Sequence, residues 1–225
     1  MQPDYALGPT GEEIFSDTFR ARLRGLNEIV LATGAPLEGN LFYFQGTTDL
    51  TDRPDPARIH KRRNLYRALQ GKRRMLEVGM NAGHSALLAL SAVPNLTYLG
   101  VDIASNAYTR LCADLMKHWY GDRFLFVAGD SREMLPALWL QGGRCFDFIH
   151  IDGGHGAGTC LADMVNALHL AESEGAHLLL DDTSHPPIHG LFQRLCVAGQ
   201  LEAEMCGGDW EGGENLLARI PRRRG

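Results

Sequence analysis

Four residues at the ends of two apolar runs carry the most chemistry in this 225-residue chain. The first run reads Phe146-Asp-Phe-Ile-His-Ile-Asp152-Gly-Gly-His155, and the second reads His177-Leu-Leu-Leu-Asp181-Asp182. If both runs are buried strands, Asp152, Asp181 and Asp182 finish at one sheet edge. Three carboxylates meeting there repel one another unless they are protonated or share a cation. Such oxygen donors suit Mg²⁺, with water and substrate oxygens completing the octahedron. A metal held this way would bind a substrate hydroxyl and lower its pKa. The competing reading is local. Asp182 would cap the turn before Thr183-Ser-His-Pro-Pro187, and Asp152 would be the turn residue of Asp-Gly-Gly. His150 alternates with Ile149 and Ile151 and is expected as a hydrogen-bonded core histidine, while His185 and His189 read as surface loop residues.

A second stretch must sit beside that edge. In Arg74-Met-Leu-Glu-Val-Gly-Met-Asn-Ala-Gly-His-Ser85 an apolar run around Glu77 leads into Gly79 and Gly83, and a helix-like run follows from His84. This predicts a buried strand, a tight turn and a helix N-terminus, whose free N–H groups face a nucleotide-type cofactor. A dinucleotide fingerprint needs a glycine where Asn81 stands, and no Gly-Lys-Ser/Thr loop is present, so NAD, FAD and nucleoside triphosphates are disfavoured.

Beyond these stretches, apolar and helical segments alternate. Strands are predicted at 74–79, 96–102, 124–129, 146–152 and 176–182, and helices at 84–93, 107–119, 131–140, 156–173 and 187–198. Apolar strands alternating with helices indicate a parallel sheet covered on both faces. Leu201–Cys206 and Asn215–Ile220, joined through Gly207–Gly213, read as a closing antiparallel hairpin. The expected fold is therefore α/β: a Rossmann-like seven-stranded sheet with helices on both faces, an antiparallel C-terminal hairpin and an N-terminal helical cap. The ligand belongs at the carboxyl ends of the strands, near the switch point.

The division is expected at residue 73, with residues 1–73 as helical cap and lid and residues 74–225 as the cofactor-binding domain. Thr10-Gly-Glu-Glu13 fits a capping box, after which Phe15, Phe19, Leu23, Leu26 and Val30 recur at helical spacing until Gly34. Residues 35–55, with Leu41-Phe-Tyr-Phe44, read as an aromatic loop or lid. Asp55-Pro56 opens a second helix ending near Gln70, and the basic run across it (Arg58, Lys61, Arg62, Arg63, Arg67, Lys72, Arg73 and Arg74) reads as a solvated helix face. The chain is 44% hydrophobic and 22% charged with a net charge of −5, which gives no general attraction to nucleic acid or anionic membrane. Five scattered cysteines without a CxxC pair argue for reduced thiols over disulfides or zinc. With no signal peptide or apolar span evident, the expected location is cytoplasmic.

Glu77-Val-Gly-Met-Asn-Ala-Gly-His-Ser85 resembles motif I of the class I S-adenosylmethionine (SAM) methyltransferases, an acid-x-Gly-x-x-x-Gly pattern. Leu99-Gly-Val-Asp102 resembles their second motif, and Ala128-Gly-Asp-Ser131 their adenine-contacting segment. The resemblance covers roughly residues 74–220. It implies SAM as cofactor, held by Glu77, Gly79, Asn81, Gly83, Ser85, Asp102, Ile103, Asp130, Ser131 and Asp152. Asp102 would accept from the ribose hydroxyls, and Glu77 would complement the cationic amino-acid end.

Asp152-x-x-His155 with the Asp181-Asp182 pair further resembles the divalent-metal-dependent O-methyltransferases, both catechol-type and sugar-modifying. That likeness implies Asp152, Asp181 and Asp182 as ligands of Mg²⁺ or another divalent cation, and His155 as the base. The Asp-Asp pair is closer to the sugar-modifying branch than to the usual catechol-type Asp-Asn. The expected function is methyl transfer to a small-molecule hydroxyl, by a protein without membrane or nucleic-acid partners and compatible with a homo-oligomer. Alternatives are a metal-independent N-methyltransferase and a non-catalytic SAM-binding module that meets a partner through the basic helix.

Overall fold

The computed structural model describes residues 14–142, 145–204 and 215–222. The Thr10–Glu13 capping box, the hairpin loop with Cys206 and Gly207–Gly213, and the Arg223-Arg-Gly225 end of the tail lie outside them.

The first helix, α1 (Asp17–Thr33), begins where the Ser16 side chain accepts the Phe19 N–H. It ends at Gly34, whose left-handed backbone no β-carbon opposes. After an irregular loop, the Asp55 side chain accepts the Ala57 N–H at a single 3₁₀ turn, which runs into α2 (Ile59–Ala68). The rest alternates: β1 (Arg74–Val78), α3 (His84–Ala92), β2 (Thr97–Asp102), α4 (Ala107–Tyr120), β3 (Phe124–Ala128), α5 (Ser131–Leu140), β4 (Phe148–Ile151), α6 (Ala157–Leu170), β5 (Ala176–Leu180), α7 (Pro186–Val197), β6 (Glu202–Glu204) and β7 (Leu216–Ile220).

The strands form one seven-stranded sheet in the order β3-β2-β1-β4-β5-β7-β6. Strands β1 to β5 are parallel, while β7 runs antiparallel between β5 and β6. The order reverses between β1 and β4, so the crevice for a ligand opens there, beyond Val78 and Ile151. Alternation along each strand feeds two cores. Met75 and Phe148 pack with α1, α3 and α4, whereas Leu76, Val78, Ile149 and Ile151 pack with α6 and α7.

Two expectations for the N-terminal part change. Leu41, Phe42 and Tyr43 are buried, and only Phe44 of that aromatic group is exposed. The group is core and not lid, because the His84 ring packs against Phe42 and Tyr43 and needs covering. The basic helix is likewise not a uniformly solvated face, since Lys61 and Arg62 are buried. Arg62 donates to the carbonyls of Leu41 and Asp55, so its charge holds the loop onto α2. Among the described residues no helix is long and apolar enough to cross a membrane. Cys112, Cys145, Cys160 and Cys196 are free thiols.

Candidate active site

A cleft of about 730 Å³ opens at the carboxyl ends of the parallel strands. Gly79, Asn81, Asp102, Ile103, Asp130, Ser131, Asp152, His155 and Asp182 line it, together with Glu38, Gln45, Arg58 and Lys61 from the N-terminal segment. One wall is the turn after β1. Gly79 and Gly83 have φ of 92° and 78°, and Asn81 between them has φ 53°. Asn81 holds that conformation because its N–H donates to Asp102 Oδ2 at 2.8 Å, at the end of β2. Ala104 N–H donates to the other oxygen, Oδ1, at 2.6 Å. A carboxylate has lone pairs for about four acceptances, so Asp102 still has capacity for a pair of vicinal hydroxyls. Opposite, Asp130 caps α5 and pairs with Arg132 at 2.5 Å, which holds its carboxyl down at about 2.

Three expected cofactor contacts do not reach the cleft. Glu77, Gly83 and Ser85 are absent from its lining, and the reason is clearest for Glu77. Strand β1 is covered on both faces, so the side chain of Glu77 points inward and is fully buried. Tyr98 Oη donates to Glu77 Oε2, and His150 Nδ1 lies 2.7 Å from Oε1. Burial and the neighbouring carboxylate push the Tyr98 hydroxyl far up, so it stays a donor. Room for its ring comes from Gly100, where a β-carbon would stand 2.9 Å from Tyr98 Oη. Glu77 therefore ties β1, β2 and β4 together from a position outside the cleft lining.

At the second wall, donor atoms of His150, Asp152 and Asp181 lie within 4.8 Å of one another. One ion at about 2.0 to 2.4 Å from each donor could bridge that spacing, so the residues fit a divalent metal. The set differs from the expected one at one member. Asp182 turns its carboxylate to His155, with Oδ2 2.7 Å from Nε2, and its own φ is 54°. His150 takes its place, and a carboxylate on Nδ1 is the usual device for presenting the other ring nitrogen. Burial, and then the Asp181 charge, hold the Asp152 carboxyl well above its usual range. Lys61 offsets part of this, since its Nζ donates to Asp181 Oδ2 at 2.9 Å. His185 precedes α7 at the surface and His189 bonds Gln193, so neither joins the cleft.

The His84 ring is more than a turn residue. Its Nε2 donates to Asn27 Oδ1 at 3.0 Å, while Asn27 Nδ2 donates to Tyr43 Oη and to the Thr51 carbonyl at 2.8 Å each. Burial pushes the imidazole down to about 3, so it stays neutral and clamps α1 and the loop onto the helix that follows the turn.

Asp163 lies behind the Gly153 wall, fully buried, with neither oxygen in a hydrogen bond. Ser131 is close enough to favour the charged form without bonding geometry, and burial still pushes the carboxyl up to about 6. Because this lies above the unfolded value of 3.8, the native state binds more protons across that window. Stability from this group is present at low pH and is lost as pH rises through about 6. Asp163→Asn, which mimics the protonated form, is expected to stabilise the protein by ~1–3 kcal/mol at pH 7.5 and by almost nothing at pH 4. Thermal melts of both proteins at the two pH values check this, and an unchanged melting temperature at pH 7.5 would contradict it.

A doubly wound sheet with a carboxylate at the end of β2 and a glycine turn at its switch point is an arrangement that suits a nucleoside-containing cofactor. Residues 76–183 match a family model described as a methyltransferase domain. Over that segment the chain is similar to methyltransferases. Its structure is similar to cofactor-bound Rv0187 from MTB (TM-score 0.62, 18% identity, 92% of each chain covered). It is equally similar to the O-methyltransferase from Bacillus cereus in complex with SAH (TM-score 0.62, 18% identity, 92% of each chain). A third likeness is to the O-methyltransferase TomG from Streptomyces achromogenes, involved in tomaymycin synthesis and solved with SAM (TM-score 0.60, 16% identity, 92% of this chain and 91% of that one). At such identities the likeness is one of fold. Among curated proteins no significant match to the sequence was found.

Proposed function

We propose that this protein transfers a methyl group from SAM to a hydroxyl of a small molecule with the help of a divalent cation. What carries the reading is the shared cleft: Asp152, His155 and Asp182 line the same cavity as Gly79, Asn81 and Asp102. SAM, when bound, supplies an electrophilic methyl on its sulfonium. Asp102 would take the ribose hydroxyls, and the Asp130-Ser131 turn would border the adenine. A divalent ion on His150, Asp152 and Asp181 would lower the pKa of an acceptor hydroxyl. His155, with Nε2–H directed at Asp182, presents Nδ1 as the lone pair that takes the proton. The named solved O-methyltransferases share this fold, which fits an oxygen acceptor.

A nitrogen donor among the ligands favours a transition metal over Mg²⁺. Titration calorimetry on the SAM-loaded protein is therefore expected to show Mn²⁺ binding about tenfold or more tightly than Mg²⁺. Absence of SAM binding would end the cofactor assignment. Full methyl transfer in EDTA would remove the metal and favour the second reading, transfer to a nitrogen nucleophile. That reading draws on one observation, the Lys61–Asp181 pair, which already neutralises part of the acidic cluster.

A further inference from the structure

Lys61 stands where the acidic cluster needs a cation. It lies one helical turn before Leu65, on the buried stripe of α2, with 7% of its surface exposed. Its Nζ is 2.9 Å from Asp181 Oδ2, and both side chains of that pair are 8% exposed. The other oxygen, Asp181 Oδ1, accepts the Asp182 N–H at 3.0 Å. The chain itself thus uses both oxygens of Asp181. An ion shared by His150, Asp152 and Asp181 would bind one of them on a remaining lone pair, beside the Lys61 ammonium, a like charge in a place with little solvent to screen it.

Ammonium and divalent ion therefore oppose each other electrostatically, and their exchange would have a mechanical side. Lys61 ties α2, a helix of the N-terminal segment, to the end of β5 across 120 residues of sequence. The same helical segment begins at Arg58, which lines the cleft and stacks 4.1 Å over the Phe44 ring. Release of the tether would reach the mouth of the cleft through this segment.

We propose that Lys61 is a displaceable internal counter-ion: ammonium and divalent ion neutralise the Asp152–Asp181 pair in turn, and loading the ion frees α2 from β5. This rests on the metal-dependent reading above. By linkage, whatever the ion must displace weakens its binding, and the ion in turn weakens the tether by the same factor. Lys61 would thereby set the metal affinity and couple metal loading to the position of the N-terminal helix.

The test is direct metal binding. Titration of Mn²⁺ into wild type and Lys61→Met is expected to give binding on the order of tenfold tighter in the variant. Amide exchange across residues 59–68 of the wild type should be faster in saturating Mn²⁺ than without it. If wild type binds Mn²⁺ and Lys61→Met binds no tighter, the counter-ion role is overturned while the metal reading stands. If neither protein binds Mn²⁺, both fall. Should the variant fail to fold, the wild-type exchange decides: unchanged protection of 59–68 with bound Mn²⁺ overturns the proposal.

Discussion

His155→Ala is expected to lower kcat by about 10² to 10⁴, the usual contribution of a positioned general base, and to leave SAM affinity unchanged. The side chain is 70% exposed, so it contributes little to the core, and its loss should not unfold the protein. What it does have is a fixed partner. Asp182 Oδ2 lies 2.7 Å from Nε2, and this hydrogen bond places the proton on Nε2 and the lone pair on Nδ1. Asp182 reaches it from the end of β5 by adopting φ 54°, a left-handed conformation uncommon for aspartate. Backbone strain of this kind persists only when surrounding structure enforces it. The Asp182 N–H, held by Asp181 Oδ1 at 3.0 Å, is part of that enforcement. Asp182→Asn should therefore reduce kcat by a smaller factor with KM nearly constant, the pattern of a positioning residue. Steady-state kinetics with calorimetric SAM affinities measure all of this. A His155→Ala enzyme within about threefold of wild type in kcat would eliminate the base assignment.

The order of strands and helices was legible because each strand between helices is an apolar run closed by glycine or an acidic residue. Burial on both faces leaves no other composition for such strands. Asp102, Asp130, Asp152 and His155 were legible for a related reason: a polar residue just past a buried strand emerges at the sheet edge. Polar residues inside the strands were read without their partners. Glu77 sits within an apolar run, and a carboxylate in that position must find a buried partner. The partner is His150, directly beside it in the β1–β4 register. Sequence alone does not give this register, so Glu77 read as a cofactor contact, while His150 read as a hydrogen-bonded core histidine whose partner stayed unnamed.

Lys61 was legible in principle. It precedes Leu65, Ala68 and Leu69 by four, seven and eight positions, which puts it on their stripe and not on the solvated face. Counting the basic residues of α2 together concealed that spacing. Asn27, the buried hub between His84, Tyr43 and Thr51, follows the same logic on α1, one residue from Leu26 and four from Leu23. In both helices a polar residue on the apolar stripe marks the contact that fixes the N-terminal segment against the cleft.

Gly79→Ala is expected to damage the protein more than any other change in the turn, and for a reason unrelated to ligand approach. A β-carbon at Gly79 would lie 2.1 Å from the Asp152 carbonyl oxygen, 2.5 Å from its carbonyl carbon and 2.8 Å from Gly153 Cα. All three are backbone atoms and cannot swing aside. The end of β1 would have to part from the end of β4, with φ of 92° adding strain for any L side chain. A loss of ~3 kcal/mol or more is expected. Gly83→Ala has a similar φ of 78°, but its β-carbon would meet only the flexible Met116 side chain at 3.5 Å. It should cost about 1 to 2 kcal/mol, the strain of the left-handed backbone alone. Urea unfolding of the two variants separates close approach from φ strain, and equal midpoints would refute the distinction. Any Gly79→Ala protein that remains folded should also bind SAM and Mn²⁺ more weakly, because the strand end that shifts carries Asp152. The first glycine of the turn thus acts on the chemistry by letting two strand ends touch, which sets the cofactor cradle and the acidic cluster at a fixed separation.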